Sequence, residues 1–179
     1  MKLMTYRAAT ALVVFLFGAA AYSNGATVPS TFIMNLPEGY TGFSQQVQST
    51  KSPEGDIRTT TWISKAPTGE AIVVTMSEMP GKILDPQKLI TSTRASLLRT
   101  LGATLETEEA RSGELPSARL QFRSDAAFFR ARFTVVDDRL YQLLYVGRST
   151  EQRTAPSVGQ MFESFRILDD VETASNPPS

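Results

Sequence analysis

The chain of 179 residues contains no histidine and no cysteine. Without histidine it lacks the Ser-His-Asp and Cys-His arrangements of nucleophilic enzymes and the imidazole ligands of zinc sites. Without cysteine it has no thiolate nucleophile and no ligands for an iron–sulfur cluster. A glycine-rich phosphate loop is also missing, because Gly69 and Gly81 stand alone. We therefore expect no catalytic residue, no metal site and no cofactor, and we predict that the protein is not an enzyme.

An excess of charge of either sign is also missing. Lys and Arg number 18, and Asp and Glu number 18. Nucleic-acid binding requires a basic footprint, and attraction to anionic lipid requires a polybasic stretch. The sequence has neither, so we predict that the protein does not bind nucleic acid.

Residues 1–26 have the layout of a secretory signal peptide. Lys2 and Arg7 form a positively charged start, an apolar run covers 8–21, and small residues follow. The apolar run is shorter than the roughly 20 residues that a membrane-spanning helix needs, so we favour cleavage over an uncleaved anchor. The candidates for the last residue before cleavage are Ala21, Ser23 and Ala26. The leader predicts a bacterial periplasmic or secreted protein with no membrane span after processing.

The rest of the chain divides into one domain and a tail. Residues 27–168 form a stretch long enough for a single domain with a real hydrophobic core. Residues 169–179 are acidic and rich in proline and serine, which predicts a disordered tail.

The strongest local pattern lies in the second half of the chain and predicts three strands joined by short turns. Apolar and polar residues alternate over 117–124 and again over 129–135, so each strand has one apolar face. Asp137 and Asp138 then favour a tight turn. The run over 139–146 is almost continuously apolar, which is typical of a strand covered on both faces. We predict an antiparallel meander here.

Strands and two helices surround this meander. A helix is predicted over Pro86–Leu101, because Asp85 can cap its start and Gly102 its end. A second helix is predicted over 155–165, and a last short strand over 166–168. Runs of strands separated by single helices indicate an α+β fold, with an antiparallel β-sheet of about six to eight strands flanked by two main helices. The remaining strands are predicted at 31–37, 42–50, 57–64, 70–77 and 103–112.

Two stretches and the mid-chain helix carry a resemblance to a known family. The stretches are the opening 32–40 (FIMNLPEGY) and the ending 161–167 (MFESFRI). With the order of elements over 28–168, they resemble the PsbP/Mog1/DcrB-like α/β/α sandwich and its small exported bacterial members. That group includes photosystem II extrinsic subunits, a nuclear-transport GTPase-binding factor and periplasmic proteins linked to phage DNA uptake. Because it shares no catalytic residues, the resemblance implies a fold and no particular activity.

Arginines on the polar faces of the meander are the candidate binding residues, namely Arg119, Arg123, Arg130 and Arg132. Guanidinium groups match carboxylate and phosphate, so these side chains could form an anion-binding patch. With Phe128 and Tyr141 they could line a groove beside the second helix, because arginine and aromatic residues are enriched at interfaces. The alternative is a solvated sheet face whose arginine stems cover apolar neighbours, with the aromatic side chains buried under the helix. Further candidates for exposed aromatic residues are Tyr40, Trp62 and Tyr145.

Three weaker patterns leave an enzymatic alternative open. Carboxylates close in sequence could hold a hard cation or act in acid–base chemistry, at Asp137-Asp138, Asp169-Asp170 and Glu106/Glu108/Glu109. Met76 and Met79 could bind Cu(I), although methionine is more often a core residue. Serines could act with a lysine in a Ser-Lys hydrolase, and the lysines considered are Lys51, Lys65, Lys82 and Lys88.

The function that the sequence favours is an exported, non-enzymatic binding or accessory module of the bacterial envelope. Its expected partner is a protein or a small anionic ligand. The alternative is a metal- or carboxylate-dependent periplasmic enzyme. A purely structural envelope protein is a third reading that only the discovery of a partner would separate from the first.

Overall fold

The structure, a computed structural model, describes residues 30–52, 55–80, 85–111 and 115–168. The predicted signal peptide at 1–26 and the predicted tail at 169–179 lie outside the described residues. Gly81, Lys82 and the Asp169-Asp170 pair lie outside them as well.

The strands of the described part form one large sheet and one small sheet. The large sheet has seven strands in the order β2-β3-β4-β8-β7-β6-β5, and all neighbours are antiparallel. The small sheet pairs β1 with β9. In chain order the strands are β1 (Phe32–Ile33), β2 (Ser44–Ser52), β3 (Gly55–Lys65), β4 (Ala71–Glu78), β5 (Thr104–Arg111), β6 (Ser117–Arg123), β7 (Phe128–Val136), β8 (Arg139–Gly147) and β9 (Arg166–Ile167).

The longest helix, α1 (Pro86–Leu101), has the limits that the sequence predicts. The Asp85 carboxylate accepts a hydrogen bond from the backbone N–H of Lys88, which caps the first turn. Gly102 follows with a φ of 57°, and its N–H bonds the last carbonyl groups of the helix. Within the described ranges, no helix has the length and apolarity needed to cross a membrane.

The second helix predicted over 155–165 is α3 (Pro156–Ser164), and a further short helix, α2 (Thr150–Thr154), precedes it. Ala155 separates them with an extended backbone, at a ψ of 140°. The residue before a proline is pushed out of the helical region by the proline ring, and proline is well suited to the first position of a helix. The prediction of a helix over 155–165 is therefore confirmed to within one residue at each end, whereas the preceding α2 was not predicted.

Helices cover both faces of the large sheet. On one face, Leu89 of α1 belongs to a buried cluster with Leu120 and Phe133 of the sheet. On the other face, Met161 of α3 belongs to a second buried cluster with Leu143. The α+β prediction is confirmed, and the α/β/α sandwich implied by the resemblance is the architecture observed.

Strand β8 lies in the middle of the sheet, between β4 and β7, and is buried along nearly its whole length. This confirms the prediction of a strand covered on both faces. In the turn before it, Val136 pairs with Arg139, so Asp137 and Asp138 form a two-residue connection. Asp137 has a φ of 51°, a left-handed conformation that aspartate adopts more readily than most residues.

The opening strand is shorter than the predicted 31–37, because only Phe32–Ile33 pairs with β9. Phe32 is buried and packs edge-on against Trp62, with 5.1 Å between ring centroids. Met34 and Leu36 pack against the same cluster without pairing in a sheet. The alternation in this segment therefore reflects burial of one side, and it does not require hydrogen bonding to another strand.

Candidate anion-binding site

Three of the four candidate arginines lie together on the sheet face that α3 covers. Arg119 of β6 is directly opposite Arg132 of β7, and Arg130 is opposite Gln121. Because strand side chains alternate between faces, Arg119, Arg130 and Arg132 all point towards α3. Like charges placed directly opposite one another destabilise an antiparallel strand pair. This arrangement therefore needs compensating contacts.

Helix α3 supplies aromatic rings for two of these arginines. The guanidinium carbon of Arg130 lies 4.8 Å from the centroid of the Phe162 ring. The guanidinium carbon of Arg132 lies 5.9 Å from the centroid of Phe165, the residue that ends the helix. Cations held over aromatic faces in this way are stabilised by the ring quadrupole. We call Arg119, Arg130 and Arg132, with Phe162 and Glu163 of α3 and the following Phe165, the arginine surface.

The arginine surface contains one carboxylate, and that carboxylate is engaged by Arg119. Arg119 Nη1 and Nη2 donate to the two carboxylate oxygens of Glu163 at 2.8 and 3.3 Å, a two-pronged pair. This hydrogen bond, followed by the positive charges of the same three arginines, lowers the pKa of Glu163. Arg130 and Arg132 form no ion pair with any carboxylate of the described residues.

Burial and mutual repulsion act on the two unpaired guanidinium groups. Arg130 and Arg132 are half-buried. Burial lowers the pKa of each, and the charge of Arg119 lowers it further, while Glu163 partly offsets both effects. Arginine remains protonated at any ordinary pH, so the arginine surface keeps an excess of positive charge. Planar guanidinium groups with this excess are suited to carboxylate, phosphate or sulfate oxygens.

Arg123 and Phe128 belong to a separate cluster around a β-bulge in β5. The sheet register shifts between Leu105 and Thr107, which leaves Glu106 unpaired in the ladder. The Glu106 carboxylate binds the buried Arg153 of α2 and lies 3.4 Å from Arg123 Nε.

Phe128, one of the two aromatic residues predicted for the patch, lies over the same ion pair. Phe128 pairs with Arg123 in the sheet, and its ring lies 5.6 Å from the guanidinium carbon of Arg153. Arg123 and Phe128 therefore lie beside an ion pair that joins α2 to the sheet edge, apart from the arginine surface.

The remaining aromatic candidates are mostly core residues. Tyr141 is 1% exposed and belongs to the cluster under α3, so it does not line a groove. Trp62 and Tyr145 are each 3% exposed. Trp62 on β3 and Tyr145 on β8 lie where the helices and the small sheet cover the large sheet. For these three candidates the alternative of burial holds, whereas Tyr40 and Phe128 are partly exposed.

The structure also shows where the carboxylates and methionines considered for the enzymatic alternative lie. Glu108 pairs with Arg94 of α1, and Glu106 binds two arginines as above. Met76 lies in the cluster under α3 and Met79 in the cluster under α1. The two sulfur atoms are therefore on opposite sides of the sheet and do not form one site. Among the described residues, no three acidic side chains are grouped as a metal site.

No binding role was predicted for Phe162, Glu163 or Phe165. The spacing of Phe162 and Phe165 in the sequence could have indicated the two rings, because residues three apart lie on the same side of a helix that begins at Pro156. Arg153 was also missed as the partner of Glu106. Only the bulge in β5 brings that carboxylate within reach of α2.

No family model and no curated protein matches the sequence. The fold is similar to the solution structure of cyanobacterial PsbP (CyanoP) from Synechocystis sp. PCC 6803, with 18% identity and a TM-score of 0.48 over 82% of this chain and 98% of that chain. It is also similar to LpqN, involved in cell envelope biogenesis of Mycobacterium tuberculosis, with 13% identity and a TM-score of 0.46 over 77% of this chain and 83% of that chain. Both similarities concern the fold, and neither carries a conclusion about what this chain binds.

Proposed function

We propose that this chain is an exported, non-enzymatic accessory module of the bacterial envelope that binds an anionic group on the arginine surface. The observation that carries the proposal is the pair of half-buried guanidinium groups, Arg130 and Arg132, without a carboxylate partner among the described residues. A bound anion would supply the missing counter-charge. It would also relieve the repulsion between Arg119 and Arg132 across the strand pair.

The rigidity of the site supports binding by a preformed surface. Arg130 and Arg132 rest on rings that are themselves buried, and Arg119 is paired with both carboxylate oxygens of Glu163. Little side-chain freedom is then lost when a ligand binds, which raises affinity for a given number of contacts.

The leader supports a location outside the cytoplasm. A positively charged start, an apolar run and small residues over 1–26 are the pattern of secretory signal peptides. In the envelope, candidate ligands with the right chemistry include phosphate-bearing, sulfate-bearing and carboxylate-bearing groups.

The proposal is tested by titrating phosphate, sulfate, citrate and an oligo-aspartate peptide into the purified chain, with calorimetry and thermal unfolding as readouts. A ligand that binds the folded state raises the melting temperature as its concentration exceeds the Kd. We expect at least one of these anions to bind the wild-type chain. The double variant Arg130→Gln/Arg132→Gln should lose at least tenfold in affinity for that anion.

The matched control is Arg58→Gln/Arg99→Gln, which removes two positive charges from exposed positions on β3 and α1. Its affinity should remain close to that of the wild-type chain. Equal losses in both double variants would mean that only net charge matters, which contradicts a defined site. The absence of binding by the wild-type chain to all four anions would also contradict the proposal.

A further inference from the structure

The two outer strands of the large sheet differ in how they are protected against pairing with another chain. A sheet edge presents unpaired backbone N–H and C=O groups, and proteins usually protect it with charges, bulges or proline. Strand β5 at one edge has a bulge after Leu105 and carries three glutamates and an arginine. Two of its glutamates are tied to arginines of α1 and α2. This edge is closed to strand addition.

Strand β2 at the other edge has neither a bulge nor a proline, and its one charged residue lies near its end. Its nine residues, SQQVQSTKS, pair with β3 in an unbroken register from Ser44–Ile63 to Ser52–Gly55. It contains one charged residue, Lys51, and no proline. Within the described residues, nothing pairs with its outer side. Val47, at the middle of its uncharged part, is 51% exposed.

We propose that a second copy of this chain pairs its β2 with β2 of the first, antiparallel and about a two-fold axis at Val47. This register places Val47 opposite Val47, Gln46 opposite Gln48 and Gln45 opposite Ser49. The exposed valines then cover each other, and the glutamine amides can bond across the pair. Lys51 of each copy falls beyond the paired segment of its partner, so no lysines face each other.

The features of β2 favour a second copy over a different partner. An edge with one charge in nine residues offers no electrostatic preference for an acidic or a basic segment. The exposed apolar residue of β2, Val47, lies at the centre of its uncharged part. A two-fold axis at that residue therefore brings the two valines together, so that β2 is complementary to β2 of a second copy. Pairing with β5 of another copy would repeat without closing, and the glutamates of β5 oppose it.

This inference is independent of the proposed function, because the arginine surface lies on β6 and β7, at the other side of the sheet. The dimer would have one continuous sheet of fourteen strands, twice the seven of one chain, with an arginine surface towards each end. Two sites on one particle would allow bivalent binding to a ligand displayed on a surface.

The absence of cysteine allows a direct test with single-cysteine variants. Residues directly opposite in an antiparallel pair have Cα atoms about 4.5–5.5 Å apart, within the range of a disulfide. Val47→Cys should therefore form a disulfide-linked dimer under mild oxidation. Ser49→Cys places its two sulfur atoms about four residues apart along the strands, roughly 13 Å, and should remain monomeric. Glu108→Cys on β5 is the control for random collision.

Selective cross-linking of Val47→Cys supports the proposal. Equal cross-linking of all three variants, cross-linking of Ser49→Cys alone, or no cross-linking of Val47→Cys would each overturn it. An edge pair forms an interface below the roughly 1,200 Å² of stable complexes, so association is expected to be weak.

Sedimentation of the cysteine-free chain provides the second measurement, over concentrations from about 10 µM to about 1 mM, the range expected for so small an interface. The mean mass should rise with concentration for the wild-type chain and for Val47→Thr, which keeps a β-branched side chain. Val47→Lys, which places like charges directly opposite, should weaken association at least tenfold with an unchanged unfolding midpoint. A wild-type chain that stays monomeric over the whole range would contradict the proposal, as would equal association by Val47→Lys.

Discussion

Replacing Glu163 by glutamine should have opposite effects on stability and on anion affinity. The Arg119–Glu163 pair is lost, but the Glu163 side chain is 63% exposed and that of Arg119 is 23% exposed. Ion pairs so accessible to water contribute about 0–1 kcal/mol, so Glu163→Gln should lower the free energy of unfolding by about 0.5 kcal/mol. The loss should be seen at neutral pH. Because the folded-state pKa of Glu163 is depressed, the contribution is present above the ordinary glutamate pKa and disappears as the pH falls through the depressed folded-state value.

Anion affinity should increase in the same variant. A ligand bound beside Arg119 would lie about 7 Å from the Glu163 carboxylate, where two unit charges repel by about 2 kcal/mol at an effective dielectric constant near 20 and by about 0.6 kcal/mol in bulk water. Because the Glu163 carboxylate is largely exposed, we take the repulsion between it and the bound anion as about 1 kcal/mol. Removing that repulsion corresponds to roughly fivefold tighter anion binding by Glu163→Gln than by the wild-type chain.

The assay combines urea unfolding with calorimetric titration of the anion that binds the wild-type chain best. Glu108→Gln is the control, since it removes the same charge from the opposite side of the sheet, where Glu108 pairs with Arg94. Its anion affinity should change by less than about twofold, because charges that far apart are screened by salt. If Glu163→Gln bound the anion more weakly than the wild-type chain, Glu163 would be a ligand-positioning group and the charge argument would be wrong.

Three further predictions concern the scaffold. Gly102→Ala should destabilise the chain by about 1 kcal/mol in urea unfolding, because the position has a φ of 57° and no neighbouring atom opposes the added methyl group; an unchanged midpoint would contradict a left-handed cap. Arg153→Met should cost about 1 kcal/mol, because Glu106 loses its buried partner but keeps Arg123 and is partly exposed, and Arg153→Met/Glu106→Gln should recover part of that loss; an additive double variant would exclude coupling. Burial first, then the charges of Tyr145 and Glu70, raise the pKa of Tyr40 above 10.0, so the folded state resists ionisation and stability should fall as the pH rises above about 10. Tyr40→Phe should reduce that alkaline loss relative to the wild-type chain, and an identical pH profile would contradict the assignment.

The parts of the fold that the sequence predicts well are those that local patterns determine. Asp85, Pro86 and Gly102 set the limits of α1 through contacts within a few residues, and alternation over β6 and β7 sets which side chains face the core. The opening segment was predicted less well, since Met34 and Leu36 are covered without strand pairing. Burial and sheet hydrogen bonding produce the same alternation, so sequence alone does not separate them.

The sequence predicts which face of the sheet carries the candidate arginines, but it does not predict which side chains lie next to each of them. Alternation places all four candidate arginines on one side of the meander, but two long-range features divide them. Helix α3 lies over Arg130 and Arg132, and the bulge at Glu106 engages Arg123 with α2. Tyr141 was misplaced for a related reason. Its strand is central, and the order of strands in the sheet is not readable from the alternation of any single strand.

Anion binding by the arginine surface can be observed residue by residue in an NMR titration that follows the Nε–Hε signals of individual arginines as an anion is added. Binding at the arginine surface should give saturable shifts at Arg119, Arg130 and Arg132 with one common Kd, and small, non-saturating shifts at Arg58 and Arg94. Shifts spread evenly over all the arginines, or a saturable response that excludes Arg130 and Arg132, would contradict it.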